Sequence, residues 1–300
     1  MNIAITDLGS NTVRLSIYEV KGNKFRLLMS KKEMASLAGY VENATMSIDG
    51  LRVASDVLEN FKNIVEHFNI TDFKVFATAS LRNIKNSDAC LEFIKQKTGI
   101  TIDLLSGEEE ALLDFKGALL NQDVKDGLLV DIGGGSTELV LFDQKKSLMA
   151  LSLPFGSLSL YREFVSNIIA KEKELDDTRK YVKRSLPAIS FGDDQFKTII
   201  GVGGSIRAMR KLILKSEKKE SIETITYRQI DDVYKDLTRH SDDKFKLILK
   251  TIPERIHTIL PGMTTLLTIM DFYHIKALKV SNFGVREGYV YSRFIERDKA

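Results

Sequence analysis

The chain has 300 residues, 43% hydrophobic and 28% charged, with 4 prolines, 1 cysteine and a net charge of +3. Such a chain can bury a large core divided over two domains, and its mix is that of an ordinary globular protein. The lone Cys90 excludes an internal disulfide framework, four scattered histidines (His67, His240, His257, His274) argue against structural zinc, and the small charge argues against a nucleic-acid polymer as partner.

The N-terminus opens directly on an apolar strand, 3–7, without a leader pattern, and no apolar run reaches membrane-spanning length. A cytoplasmic protein with no membrane partner is therefore expected. Alternation predicts a second strand over 12–20, and helical spacing predicts a helix over 51–68. A strand over 73–80, a helix over 86–99 ending in glycine, a strand over 100–106 and a helix over 107–122 follow. The charged stretch 122–126 reads as a boundary, giving domains 1–124 and 125–300, the terminal helix being free to pack back on the first. Beyond it come strand–turn–strand over 128–142, a strand over 147–154, and helices over 157–170 and 173–189. Strand–turn–helix over 196–214, a strand over 277–282 and a helix over 285–297 complete the list. This order indicates an α/β class.

One phrase is written twice. DLGSNTVRLSIY (7–18) and DIGGGSTELVLF (131–142) match at Asp7/Asp131, Gly9/Gly133 and Leu15/Leu139, with Thr12 facing Ser136. A long-period repeat of this kind suggests a duplicated fold with a cleft between the halves. Glycine lets a backbone approach a ligand closely, and successive N–H groups in such a turn make an anion-binding concavity. A carboxylate at its start can hold a Mg2+ ion that neutralises phosphate. Either copy alone is explained equally by a tight hairpin; a plain hairpin does not need the same Asp in both. No Lys follows, and a strand rather than a helix comes next, so this is not a nucleotide-binding P-loop.

A third glycine turn, GVGGSIRAM (201–209), opens a helix, which suits an anion site or, more plainly, a helix capped by Ser205. Arg207, Arg210 and Lys211 share a face that reads as solvated surface. In SGEEEALL (106–113), Ser106 and Glu109 form a capping box and Glu108 suits the helix dipole. Glu110 has no such job: it is either an exposed helix residue or a base that orients water.

Together with TASLRN (78–83), LLSGEEEALL (104–113), ILPGMTTLL (259–267) and VSNFGVREG (280–288), these pieces resemble, in order and over nearly the whole chain, the exopolyphosphatase/guanosine pentaphosphate phosphohydrolase family. The resemblance implies two ribonuclease-H-like domains of the sugar kinase/Hsp70/actin superfold around an interdomain cleft, and Mg2+-dependent hydrolysis of terminal phosphoanhydrides in polyphosphate or guanosine penta- and tetraphosphate. It places the catalytic carboxylates on Glu110 and Asp131, with Asp7, Asp131 and Glu110 as magnesium ligands. Phosphate contacts fall on Ser10, Asn11, Thr12, Arg82, Gly133, Gly134, Gly135, Ser136 and Thr137, and on Gly203, Gly204 and Ser205 of the third turn. A homodimer is implied as well.

Three places depart from the family pattern: ASLAGYVEN (35–43) lacks an arginine, Asn282 stands where aspartate is common, and Arg255-Ile256-His257 replaces Arg-Ala-Asp. They bear on substrate choice more than on reaction type. The extra helical domain of longer members, which grips long polyphosphate, is expected to be missing. A phosphotransferase of the same superfold and a nucleotide- or alarmone-binding regulator are the alternatives to a hydrolase.

Overall fold

The computed structural model describes residues 1–188, 197–239 and 242–296; His240 and the helix ends predicted at Ile189 and Arg297 lie outside them. The chain forms two compact units, Met1–Glu110 with the described part of Tyr289–Ala300, and Ala111–Gly288.

In the first unit, β1 (Asn2–Leu8), β2 (Val13–Lys21) and β3 (Lys24–Glu33) make an antiparallel meander. A 3-10 turn (Leu37–Tyr40) and the short pair β4 (Val41–Glu42) and β5 (Thr45–Met46) lead into α1 (Ile48–His67). Ser47 caps α1 by accepting from the Gly50 amide at 3.3 Å. Leu51, Ala54, Leu58, Phe61 and Val65 recur at helical spacing and enter the unit's core. Next come β6 (Asp72–Ala77), the single turn α2 (Ala79–Arg82), α3 (Ser87–Thr98) and β7 (Ile102–Leu104), with Gly99 closing α3 at φ 71°. The sheet order is β3-β2-β1-β6-β7, β6 and β7 running parallel to their neighbours.

The helix α4 (Gly107–Leu119) begins in the first unit and continues into the second. The compact units thus divide inside α4, after Glu110, rather than at 122–126. The second unit repeats the meander with β8 (Gly127–Ile132), β9 (Thr137–Asp143) and β10 (Lys146–Leu153). The helices α5 (Ser157–Phe164) and α6 (Glu172–Ser185) precede β11 (Thr198–Val202) and α7 (Gly203–Glu217). The chain continues through β12 (Thr224–Thr226), α8 (Tyr227–Thr238), α9 (Asp242–Thr251), α10 (Ile259–Phe272), β13 (Ala277–Val280) and α11 (Val285–Val290), which widens into a π-turn at Tyr291–Ile295. Sheet order is β10-β9-β8-β11-β13-β12. Leaving aside the edge strand β12, each sheet has the antiparallel meander plus two parallel strands of a ribonuclease-H-like unit, so the α/β class and duplicated fold implied by the resemblance are present.

One face of the second sheet carries the large core that includes Met209, Leu212, Met263 and Leu266. Phe115 of α4 covers the other face, its ring 5.1 Å from that of Phe142. Backbones touch where α4 meets the start of α11: a Cβ at Gly117 would overlap the Gly284 carbonyl, and one at Gly288 the Leu113 carbonyl. No described helix is long and apolar enough to cross a membrane.

Candidate functional site

Parallel pairing brings the carboxyl ends of β1 and β6 side by side, Leu8 against Ala77, so the loop after β1 and the start of α2 share one edge of the first unit. Ligands of open α/β sheets gather at such edges. The Gly9 amide donates to the Thr12 carbonyl at 3.2 Å and closes the loop. The carbonyls of Ser10 and Asn11 accept from the amides of Ala38 and Ser36, both at 2.9 Å. Carbonyl oxygens that would repel an anion are thereby held toward the 36–38 segment, which the sequence had marked only as lacking an arginine. Asp7, near the end of β1, pairs across the hairpin with Arg14.

Ser80 donates its hydroxyl to the Leu8 carbonyl, anchoring α2 to the same edge. Arg82, at the end of α2, donates from Nη1 to Glu110 Oε2 at 2.7 Å and to the Leu105 carbonyl at 3.1 Å. Glu110 is 8% exposed, not the exposed helix residue that reading the residues alone allowed. The capping box is present: Glu109 accepts from the Ser106 amide at 2.9 Å, and Ser106 Oγ accepts from the Glu109 amide at 3.1 Å. Hydrogen bonds from Ser106, its amide first, hold Glu109 below the usual carboxylate range.

The second unit builds the same turn from different supports. The Gly133 amide donates to the Ser136 carbonyl at 3.0 Å. The first amides of α5 approach from behind: Ser157 donates to the Gly133 carbonyl at 2.9 Å, and Leu158 and Ser159 to the Gly134 carbonyl at 3.0 Å. A helix N-terminus has unsatisfied donors, and here they neutralise the loop's carbonyls. Only glycine fits at 156, where a Cβ would meet the backbone of Gly133 and Gly134 at 2.6–2.8 Å. Gly135 shares the turn, and Ser136 is buried at its end. Thr137 is fully buried and donates its hydroxyl to the Phe155 carbonyl at 2.7 Å, so that hydroxyl serves the loop's frame.

The third turn lies beside this one because β8 and β11 are parallel neighbours, Asp131 against Val202. Gly203 has φ 84° and presses on the Asp131 carboxylate, and Gly204 presses on the Arg255 guanidinium. Ser205 is not the cap expected from sequence: Val202 is the N-cap, and Ser205, one turn inside α7, donates to Ser157 Oγ at 3.2 Å. The charges of Arg207, Arg255 and Arg286 act on Asp131. Burial pushes its carboxyl up, opposed first by Arg207 and then by Arg255 and Arg286. Burial likewise pulls Arg207 below its ordinary range, opposed by Asp131.

This corrects the sequence reading of Arg207, Arg210 and Lys211 as one solvated face. Arg207 is half-buried against Asp131, Arg210 donates to Asn282 Oδ1 at 2.9 Å, and Lys211 alone is exposed. Three more residues escaped it. Asp114 is 1% exposed, four residues beyond Glu110 on α4, and Glu138 is buried and accepts from Ser152 Oγ at 2.8 Å. Arg286 is the second residue of α11. The helical offset from Glu110 could have pointed to Asp114; nothing local pointed to Arg286.

A magnesium ion fits the donor chemistry. Asp131 Oδ1 is a buried carboxylate oxygen that takes no hydrogen bond. Among the described residues no three His, Cys, Asp or Glu side chains converge on a metal position. Mg2+ needs only one or two carboxylates and completes its shell with water and phosphate oxygens, so a single carboxylate of this kind is enough to hold it.

Known proteins match this chain along its length. The model of the Ppx/GppA phosphatase family matches residues 16–296. A candidate exopolyphosphatase of Haemophilus influenzae is 25% identical over 97% of the chain and 90% of its own length. A guanosine-5'-triphosphate,3'-diphosphate pyrophosphatase of Aliivibrio fischeri is 25% identical over 98% of the chain, which spans 59% of that relative's length. Among solved structures, the Ppx/GppA family member of Aquifex aeolicus superposes with a TM-score of 0.80 at 25% identity, covering 100% of this chain and 99% of that one. An exopolyphosphatase of Cytophaga hutchinsonii has the same fold, with a TM-score of 0.86 at 19% identity over 97% of each chain.

Proposed function

The chain belongs to the Ppx/GppA phosphatase family, a family of hydrolases, and from that premise we propose that it releases terminal phosphate from inorganic polyphosphate, guanosine pentaphosphate, or both, in a Mg2+-dependent reaction. The observation that carries this reading is the shared build of the two glycine turns. Each is closed by a glycine amide, and in each the carbonyls are engaged from behind by amides of a later segment. A simple hairpin does not require that second set of bonds. A loop that must present N–H groups to anionic oxygens does.

The proposed reaction is in-line attack by water on the terminal phosphorus. Glu110 accepts the water's proton as the new P–O bond forms. The bond to the bridging oxygen breaks, and the chain leaves one phosphate shorter. The backbone amides of Ser10, Asn11 and Thr12, the hydroxyls of Ser10 and Thr12, and the amides of Gly134 and Gly135 hold non-bridging oxygens; Gly133, whose amide closes its turn, and Ser136, Gly203, Gly204 and Ser205 shape the same loops. Arg82, Arg207, Arg255 and Arg286 supply the positive charge that a phosphoryl transition state needs. Of the candidate Mg2+ ligands Asp7, Asp131 and Glu110, Asp131 has the buried oxygen without a hydrogen bond that best suits the ion, which would supply further charge neutralisation.

The test is phosphate release with Mg2+ from long polyphosphate, short polyphosphate, guanosine pentaphosphate and ATP, run beside Glu110→Gln. Release that falls at least about 100-fold in the variant supports a general-base role. Equal release in both forms refutes Glu110 as base. Tight binding of one compound without turnover refutes the hydrolase in favour of a regulator, and turnover that requires an acceptor refutes it in favour of a phosphotransferase.

A further inference from the structure

The geometry around Glu110 points to Arg82 as a positioning residue for the base, beyond any contact it makes with phosphate. This inference rests on the reading of Glu110 given above. One nitrogen, Nη1, reaches two acceptors, Glu110 Oε2 at 2.7 Å and the Leu105 carbonyl at 3.1 Å. The two belong to one structural joint: Leu105 follows β7, and Glu110 is in the first turn of α4. A guanidinium held by both has its direction fixed by the backbone at one end and fixes the carboxylate at the other. The pair is buried, with side-chain exposures of 17% and 10%, so water screens it little.

Burial also shows why a fixed partner is needed. A desolvated carboxylate without a cation is strongly unfavourable, and a rotating one would present its oxygens to the attacking water in the wrong direction much of the time. Arg82 is itself placed from the phosphate-loop side, since α2 is anchored by Ser80 to Leu8, the residue before the first glycine turn. A phosphate drawn to that loop and the carboxylate that activates its nucleophile are thus referred to one rigid guanidinium. Both bonds leave one planar nitrogen whose two hydrogens have fixed directions, and the freely rotating ammonium of lysine lacks that property.

The experiment measures kcat and KM for Arg82→Ala, Arg82→Lys, Glu110→Gln and the double variant Arg82→Ala/Glu110→Gln, on whichever of the four substrates the native protein cleaves fastest. We expect Arg82→Ala to lower kcat about 10- to 100-fold, the scale of a misplaced reacting group. Arg82→Lys should recover little of this, and guanidinium ion added to Arg82→Ala should restore part of kcat. In the Glu110→Gln background Arg82→Ala should lower kcat no further, because its effect acts through the carboxylate. A raised KM with native kcat, or an undiminished loss of kcat in the Glu110→Gln background, would overturn the inference and leave Arg82 a phosphate contact. Should Arg82→Ala melt far below the native protein, the Arg82→Lys values decide by the same criteria. Failure of the underlying reading shows differently, as absent native turnover or a fully active Glu110→Gln, and removes the inference with it.

Discussion

Gly203 lies so close to Asp131 that a single methyl group on it would overlap the carboxylate. Its φ of 84° is also one that side chains rarely adopt. Gly203→Ala should therefore destabilise the protein by about 2–4 kcal/mol, combining left-handed strain with overpacking. It should also abolish phosphate release by displacing Asp131. Thermal melting and turnover measured together check this, and an Ala variant with native values for both would show that the third turn can relax.

Adjacent glutamates should separate cleanly. Glu109→Ala removes the reciprocal bonds with Ser106 and should cost about 1 kcal/mol of stability while leaving kcat near native. Glu110→Gln should do the reverse, removing turnover with little loss of melting temperature. If Glu109→Ala lost activity as severely as Glu110→Gln, the division of labour in this turn would be wrong.

Where α4 meets α11, Gly288→Ala would force a methyl against the Leu113 carbonyl and the Gly117 amide. Helix backbones in contact cannot yield without moving apart, so a loss of about 1–3 kcal/mol is expected, read from denaturant midpoints. An unchanged midpoint would mean that the crossing opens at little cost.

At high pH, three tyrosines should resist ionisation. Burial, then a hydrogen bond to Asp271 at 2.9 Å, pushes the Tyr227 phenol up to about 12; burial pushes Tyr273 and Tyr289 up as well. An unfolded tyrosine titrates near 10. The folded protein therefore holds more protons than the unfolded chain above that pH. Stability from these groups is complete below about pH 10 and is lost as pH rises through the folded values. A near-ultraviolet phenolate titration should show a late, cooperative phase from these three residues. A single early phase would contradict it.

The repeated turn was legible because Asp, Gly and hydroxyl positions recur together in a way that no local propensity demands. Strand β3 was not: it is an edge strand exposed along much of both faces, so KFRLLMSKKE has no clean alternation to read. α10 failed for the opposite reason. Every residue from Ile259 to Met270 is buried, and a helix apolar all round has no stripe. Arg207 was misread because three cations at helical spacing look like a solvated face, when the deciding fact is a carboxylate delivered by a different strand. Arg286 acts on Asp131 from a segment more than a hundred residues away, which no window of sequence can display, whereas Asp114 could have been read one helical turn beyond Glu110.

Tyr289 stacks on Phe76 with ring centroids 5.0 Å apart, and its hydroxyl donates to Asp103 at 3.0 Å. It belongs to the first unit, although 178 of the residues before it, Ala111–Gly288, belong to the second. During synthesis one side of Phe76 in the amino-terminal sheet therefore stays uncovered until Tyr289 has left the ribosome. The first unit is completed only by the segment that follows the second, not by its own strands alone, and a ribosome stalled in the second unit would hold out an unfinished core.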